Sequence, residues 1–418
     1  MATIDRGTRT GRTIAIFPWG EAIEEFLDPL NLDLNDFVSR MTGGWLFGYV
    51  LALQGQGWRP IIVCASERVG TLTRLEHAGT GATVWAAPAQ RSRRDPITSL
   101  GYLERWLKSP MRDFRTVLTK ERCAAIIAQE YEYFRFDLLC VLARRTRCPI
   151  YATFQGGDVT LSPIERILRP WFLRHCSGLI VASARERARL AAAYPRVQVP
   201  IASIPNPLDC EEWRPEDRVK AREQLGLSAA DFIVINHGRT DIGRKGLDIL
   251  VAAWKLFSAR HPEARAFVIG SGQDHAAFAR LLEEQAPERM TWIADYITDR
   301  AQMRRWLSAA DVYLTTSRTE GMPVAPLEAM ACGLPIVSSD AHGFPDIFAA
   351  GEGDGGIVTP REDVSATVAA LDRLVADPTL RARLGSAARR RVEEHFSIAA
   401  VGAALDQFVR QNRKERTA

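Results

Sequence analysis

Short apolar runs alternate along the chain with longer stretches whose apolar residues recur at helical spacing, and this alternation restricts the fold more than any other feature. A parallel strand can reach its neighbour only through a crossover of helical length, so the pattern implies parallel sheets covered by helices on both faces. In the first half the strand candidates are residues 13–17, 60–64, 83–86, 124–129, 150–154, 178–181 and 201–204. The run Ile-Pro-Asn-Pro-Leu-Asp-Cys-Glu-Glu-Trp-Arg-Pro (204–215) then sets three prolines where neither a helix nor a central strand tolerates them, and it reads as a linker. A second alternation follows, with strands at 232–236, 266–269, 290–293, 312–315, 335–338 and 356–358. Leu247, Leu250, Val251 and Trp254 share one face of the helix after its first strand. A chain of 418 residues exceeds what one core organises, so two α/β domains are expected. Residues 397–410 carry a last helical pattern with Val401, Ala404, Leu405 and Phe408 on one side, which needs a surface to pack on.

Composition narrows the partners. Apolar residues at 46% and charged residues at 25% are the balance of a folded globular chain, and a formal charge of +4 does not imply a nucleic-acid partner. Cys64, Cys123, Cys140, Cys148, Cys176, Cys210 and Cys332 show neither metal spacing nor a disulfide framework and read as reduced packing residues. The N-terminal residues lack an apolar signal core, and the best later apolar run, residues 45–53, is too short to cross a bilayer. A cytoplasmic protein is expected. Between residues 91 and 122 basic residues outnumber acidic ones and are interleaved with Leu100, Tyr102, Leu103, Trp106, Leu107, Met111 and Phe114. That is the composition of a basic amphipathic surface able to rest on anionic lipid; the alternative is a helix packed on its own domain.

Two segments carry candidate chemistry. The first is Ser-Arg-Thr-Glu-Gly-Met-Pro-Val-Ala-Pro-Leu-Glu-Ala-Met-Ala-Cys-Gly (317–333), which follows a strand and opens a helix. Gly321 allows close backbone approach, Pro323 or Pro326 suits a first helical turn, and free amides at the helix start can meet a phosphate. Glu320 and Glu328 could accept hydrogen bonds from hydroxyls at opposite ends of an elongated ligand. The alternative reading makes Glu320 a helix-start acid and Glu328 a solvated face residue. The second segment is His-Gly-Arg-Thr-Asp-Ile-Gly-Arg-Lys-Gly-Leu (237–247), a strand end, a Gly-rich turn and a helix. Ligands of open parallel sheets sit beyond the carboxyl ends of the strands, and there Arg239 and Lys245 could grip a diphosphate, with Arg244 as a competitor; the alternative is a solvated loop. Ile-Gly-Ser-Gly-Gln (269–273) lacks the full dinucleotide fingerprint. His175, His237 and His342 are without metal-ligand spacing and read as structural.

In this order the segments resemble the family 4 retaining glycosyltransferases. The resemblance rests on Gly238, Arg239, Lys245 and Gly246, on Glu320 and Glu328, on Glu-Ala-Met-Ala-Cys-Gly-Leu-Pro (328–335) and on Ser-Asp-Ala-His-Gly (339–343). It implies the GT-B fold, two Rossmann-like, doubly wound parallel-sheet domains facing across a cleft. The boundaries expected are 1–207 for an acceptor-side domain, 208–395 for a nucleotide-sugar domain and 396–418 for a helix crossing back to the first. It also implies that Arg239 and Lys245 bind the donor diphosphate, with Gly238 beside them. Glu320 and the backbone of Gly321, Met322, Pro323 and Val324 would hold the transferred sugar, and Glu328 the ribose. Gly43 and Gly44, opening the first long N-terminal helix, would face the phosphates, and Tyr296, between Asp295 and Ile297, would lie by the base.

Where the family often has a histidine at the end of an N-domain strand, this chain has Gln155, whose amide can donate a hydrogen bond but cannot carry a proton. The reading that follows is metal-independent, retaining transfer from a UDP- or GDP-sugar to a hydroxyl, with no cofactor, on a glycan, lipid-linked or small-molecule acceptor. Peripheral contact with the inner face of a membrane accompanies a lipid-linked acceptor. The competing readings are a non-catalytic sugar-nucleotide-binding subunit, motivated by Gln155, and, within enzymes, a nucleotide-sugar epimerase or a phosphorylase.

Overall fold

A computed structural model describes residues 11–28, 32–41, 44–154, 160–295, 297 and 299–412. The chain divides into two compact units, residues 1–207 with 398–418 and residues 208–397.

In the first unit the strands are β1 (Thr13–Phe17), β2 (Arg59–Ser66), β3 (Thr73–Glu76), β4 (Thr83–Pro88), β5 (Cys123–Gln129), β6 (Ile150–Thr153), β7 (Gly178–Val181) and β8 (Ile201–Ser203). Their order is β3-β4-β2-β1-β5-β6-β7-β8, and all pairings are parallel except that of β3 with β4. Strand β3 has no apolar run, which is why its sequence does not announce it; it alternates half-buried with exposed residues on the sheet edge. Side chains of β1 divide between the two faces: Ala15 and Phe17 enter one apolar cluster, Ile14 and Ile16 the other. The second unit holds β9 (Phe232–His237), β10 (Ala264–Ile269), β11 (Met290–Ile293), β12 (Val312–Thr315), β13 (Ile336–Ser339) and β14 (Gly356–Thr359), ordered β11-β10-β9-β12-β13-β14 and all parallel. Ile233 and Ile235 face one cluster, Phe232 and Val234 the other, where Leu247, Leu250, Val251 and Trp254 of the helix Leu247–Ser258 are buried.

The chain leaves the first unit after Pro207 and returns to it at Ile398; at the boundary Leu208 donates its amide to the carbonyl of Phe396 at 2.7 Å. The helix Ile398–Gln411 packs on Tyr49–Gly55. Gly402 lets the two approach, since a Cβ there would stand 2.5 Å from the carbonyl oxygen of Ala52. Trp58 donates to Asp406 at 2.7 Å and the Tyr151 hydroxyl to the carbonyl of Val409 at 2.9 Å.

Two expectations change. The segment after Gly44 is not one long helix: a π-helical turn, Gly44–Gly48, leads into the seven-residue helix Tyr49–Gly55. A Cβ at Gly48 would sit 2.9 Å from the Pro207 ring, so the turn is seated closely on that residue. The basic amphipathic stretch also sorts itself unexpectedly. In Ser99–Lys108 it is Arg105 that is buried, paired with Glu21 and 5.1 Å over the Phe134 ring, while Leu100, Leu103 and Leu107 are exposed.

Candidate active site

In the second unit the strand order reverses direction between β9 and β12, where ligands of open parallel sheets bind beyond the carboxyl ends. The register Val234 with Val312 and Ile235 with Tyr313 brings the turn after His237 beside the loop after Thr315. Both chemistry-bearing segments thus meet at one sheet end.

Lys245 and Glu320 form the centre of this region. The Lys245 ammonium lies 2.6 Å from Glu320 Oε1, and the Ser317 hydroxyl donates to the same oxygen at 2.7 Å. Among the described residues neither bond uses Oε2, so that oxygen remains for a further donor. The Glu320 side chain is 5% exposed and that of Lys245 25%. Glu320 is therefore a buried, paired carboxylate and not a helix-start acid. Ser339, at the end of β13, donates to the carbonyl of Ser317 at 2.5 Å and holds the loop from beneath.

The loops are stapled together by groups that sequence reading passed over. Arg318 grips Asp248 with two donors at 2.7 and 2.9 Å, pairs with Glu362 at 2.6 Å, and reaches the carbonyls of Ile242 and Gly243 at 3.2 Å. Its two carboxylate partners hold its pKa well above the ordinary arginine value. The Thr316 hydroxyl donates to the Gly246 carbonyl at 2.7 Å. Gly246 must be glycine, since it has φ +60° and a Cβ would fall 2.1 Å from the Thr316 carbonyl oxygen. Arg318 stood inside the motif already singled out, but Asp248 is distant in sequence, and no spacing rule predicts their union.

Glu328 occupies the next turn of the region. It is not a solvated face residue: His237 Nε2 lies 2.8 Å from its Oε2 and, since a carboxylate only accepts, donates its N–H to it. His237 Nδ1 is buried and unbonded among the described residues. The ring meets Tyr313 edge to face at 5.5 Å, and the Tyr313 hydroxyl donates to the His237 carbonyl at 3.1 Å. Burial pushes the Tyr313 phenol above its usual pKa, and the carboxylates of Glu328 and Glu320 add to the effect, so it remains a neutral donor.

The helix Val324–Ala331 begins after Pro323, which holds the N-cap position with φ −70° and ψ 127° and offers no side-chain cap. Pro326 stands third in the helix, so the amides without an intrahelical acceptor are those of Val324 and Ala325, and no side chain among the described residues caps them. Gly321 has open space where a side chain would project; the tight approach belongs to Gly343, at φ +91°, where a Cβ would stand 2.2 Å from the Gly321 carbonyl oxygen. Arg239 is exposed after Gly238 and makes no side-chain bond among the described residues. Arg244 donates to the Thr319 carbonyl at 3.3 Å, and Met322 packs at the margin of the apolar cluster beneath the site. Of the other candidates, Gly44 belongs to the first unit, and Gly43, Gln155 and Tyr296 lie outside the described residues.

The geometry assembles an acid and a base side by side, an unpaired arginine and an uncapped helix start at one sheet end, an arrangement suited to a ligand with both anionic and hydroxyl groups. The fold is that of the two-domain GT-B proteins. A solved structure of Anabaena Alr3699/HepE in complex with UDP matches 96% of this chain and all of its own with a TM-score of 0.71 at 16% identity. The family is given by sequence models: "Glycosyl transferases group 1" matches residues 217–391 and "Glycosyl transferase 4-like domain" residues 48–207. The chain belongs to the group 1, family 4 glycosyltransferases. It is 28% identical over 217 residues to the GDP-mannose-dependent monoacylated alpha-(1-6)-phosphatidylinositol monomannoside mannosyltransferase of Corynebacterium glutamicum, covering 49% of this chain and 55% of that protein. It is also 28% identical over 233 residues to the lipopolysaccharide core biosynthesis mannosyltransferase LpsB of Rhizobium meliloti, covering 54% of this chain and 64% of that one. The chain thus spans less than two thirds of the length of these relatives.

Proposed function

We propose that this protein transfers a glycosyl group from a UDP- or GDP-sugar to a hydroxyl acceptor with retention at the anomeric carbon. The observation that carries the proposal is the Lys245–Glu320 pair, which holds a cation for a diphosphate and a carboxylate for a sugar hydroxyl within 2.6 Å of one another. A diphosphate arriving at Lys245 competes with Glu320 for the ammonium. Arg239, unbonded and exposed, adds a second cation, and the Val324 and Ala325 amides supply donors at the helix start. These groups supply the positive charge that the departing diphosphate requires, so no metal ion is called for. As the bond from the anomeric carbon to the phosphate oxygen breaks, the acceptor oxygen bonds to that carbon on the same face. The leaving phosphate takes the acceptor's proton. Glu320 Oε2 is assigned to a sugar hydroxyl and Glu328, oriented by His237, to the ribose.

The similarity to the Corynebacterium and Rhizobium mannosyltransferases supports a mannosyl donor and a glycolipid or core-oligosaccharide acceptor as the first to test. The UDP complex of the Anabaena protein keeps uridine nucleotides in the set. Thermal-shift and calorimetric titration against UDP, GDP, ADP and their common sugars, with chelator present, is the test. One nucleotide family should raise the unfolding temperature, because a ligand that binds only the folded state stabilises it by mass action. Silence from all of them refutes the donor site; binding without turnover on any acceptor favours the non-catalytic alternative.

A further inference from the structure

Two helices of the first unit each bury an arginine while leaving large apolar side chains exposed. On Ser99–Lys108 the buried residues are Gly101, Tyr102 and Arg105, whereas Leu100, Leu103 and Leu107 are 60%, 46% and 87% exposed. Those leucines recur three and four residues apart and so form one stripe. On Pro163–His175 Arg169 is fully buried, 3.2 Å from Asp137 and 3.4 Å from Glu165, whereas Ile167 and Trp171, one turn apart, are 76% and 42% exposed. The helices pack together through Tyr102, Trp106, Ile164 and Leu168, and both bury their arginines toward Phe134–Thr146, Arg105 over the Phe134 ring and Arg169 on Asp137. Their apolar stripes turn away from that shared support. With Ile97, just ahead of the first helix, the pair carries six of the ten large apolar side chains exposed among the described residues. A surface made only to face water scatters such residues singly.

The exposed charges around the stripes are mostly cationic, the carboxylate of Asp95, which accepts from the Ile97 amide at 3.0 Å, being the exception. Arg93, Arg94, Arg112, Arg166 and Arg174 are exposed beside them, and the carboxylate of Glu104 is occupied by Lys108 at 2.8 Å. Among the described residues no helix is long and apolar enough to cross a membrane. We propose that this paired-helix face docks on a bilayer containing anionic phospholipid, the leucine, isoleucine and tryptophan side chains entering the acyl boundary while the arginines meet headgroup phosphates. The inference rests on this surface alone and not on the glycosyl-transfer reading.

The test is flotation of the full chain with vesicles of phosphatidylcholine alone and of phosphatidylcholine with roughly one-third phosphatidylglycerol, at low and raised salt. The wild type should float with the anionic vesicles, less so as salt rises. Leu107→Glu with Ile167→Glu should lower the bound fraction about tenfold or more, since each variant takes an inserted side chain and adds a repelled charge. Arg166→Glu with Arg174→Glu should weaken binding about fivefold or more per reversed cation and flatten the salt dependence. All four positions are exposed, so the unfolding temperature and nucleotide binding should hold in every variant. The difference in emission between wild type and Trp171→Phe should shift to the blue on anionic vesicles. The proposal is overturned if the wild type stays with the unbound fraction, or if the glutamate pair floats like wild type. It is equally overturned if the wild type is a dimer without vesicles that Leu107→Glu with Ile167→Glu dissolves, which would make a second copy the occupant.

Discussion

Replacing Lys245 by methionine keeps the apolar stem and deletes the ammonium that lies 2.6 Å from Glu320 Oε1. Breaking a fully buried ion pair by removing one partner costs about 3–5 kcal/mol. Here Lys245 is 25% exposed and Ser317 still donates to the same oxygen at 2.7 Å, so the remaining carboxylate is only partly stranded. A loss of about 1–2 kcal/mol follows, the cost of an underbonded charged acceptor. For a unit of this size that lowers the unfolding temperature by about 2–8 °C. Glu320→Gln should cost less than about 1 kcal/mol, because the freed lysine can turn to solvent. The double variant should recover most of what Lys245→Met loses. Binding moves differently. Without the ammonium a nucleoside diphosphate loses a charge-assisted contact of about 1.5–3 kcal/mol, or about 10- to 150-fold in Kd. Glu320→Gln should bind the bare nucleoside diphosphate at least as well as wild type, since its competitor for Lys245 is gone, yet lose turnover of the nucleotide-sugar. Denaturant melts and calorimetry on the three variants decide the matter. Unchanged stability and unchanged nucleotide affinity in Lys245→Met would refute the assignment.

Arg239→Ala should leave stability within about 0.5 kcal/mol, as the side chain is exposed and unbonded among the described residues, while weakening nucleotide binding; equal calorimetric affinity would remove Arg239 from the site. Gly343→Ala should lower both the unfolding temperature and donor affinity, because at φ +91° its Cβ would press 2.2 Å from the Gly321 carbonyl and displace the loop ahead of the helix. Burial raises the Asp137 carboxyl to about 7 against an ordinary aspartate near 3.8. The folded chain then holds a proton that the unfolded chain has released, so this group's contribution is full at low pH and declines between those two values. The difference in denaturant stability between wild type and Asp137→Asn should show that slope across pH 4–7, and a flat difference would refute it. Gly178→Ala should destabilise the seat of the last helix, since its Cβ would lie 2.5 Å from Phe408, and Gly178→Ala with Phe408→Leu should be the milder variant in thermal melts.

Much of the fold was legible because a parallel sheet buried on both faces writes itself as apolar runs. The strand positions read for the second half all fall on β9 to β14 within a residue or two. Strand β3 escaped because an edge strand with one wet face carries no such run. At the site, Lys245 and Glu320 were legible as residue types at strand ends, but their pairing was not. Neither was the grip of Arg318 on Asp248 nor that of His237 on Glu328, since each joins groups far apart in the chain.

The basic stretch makes the division plainest. Its composition identified an amphipathic, cationic segment, and by periodicity the apolar side would be placed inward. Only the packing against Phe134–Thr146 and its neighbours turned Arg105 and Arg169 in and the leucines and isoleucine out, because Glu21, Asp137 and Glu165 stand there with oxygens for the buried guanidiniums. Sequence alone determined the buried strands, most of the helices and the linker, since those depend on neighbouring residues and local backbone sterics. Which carboxylate meets which cation, and which face of a helix stays wet, depends on partners brought together across long sequence separations, and that only the tertiary structure decided.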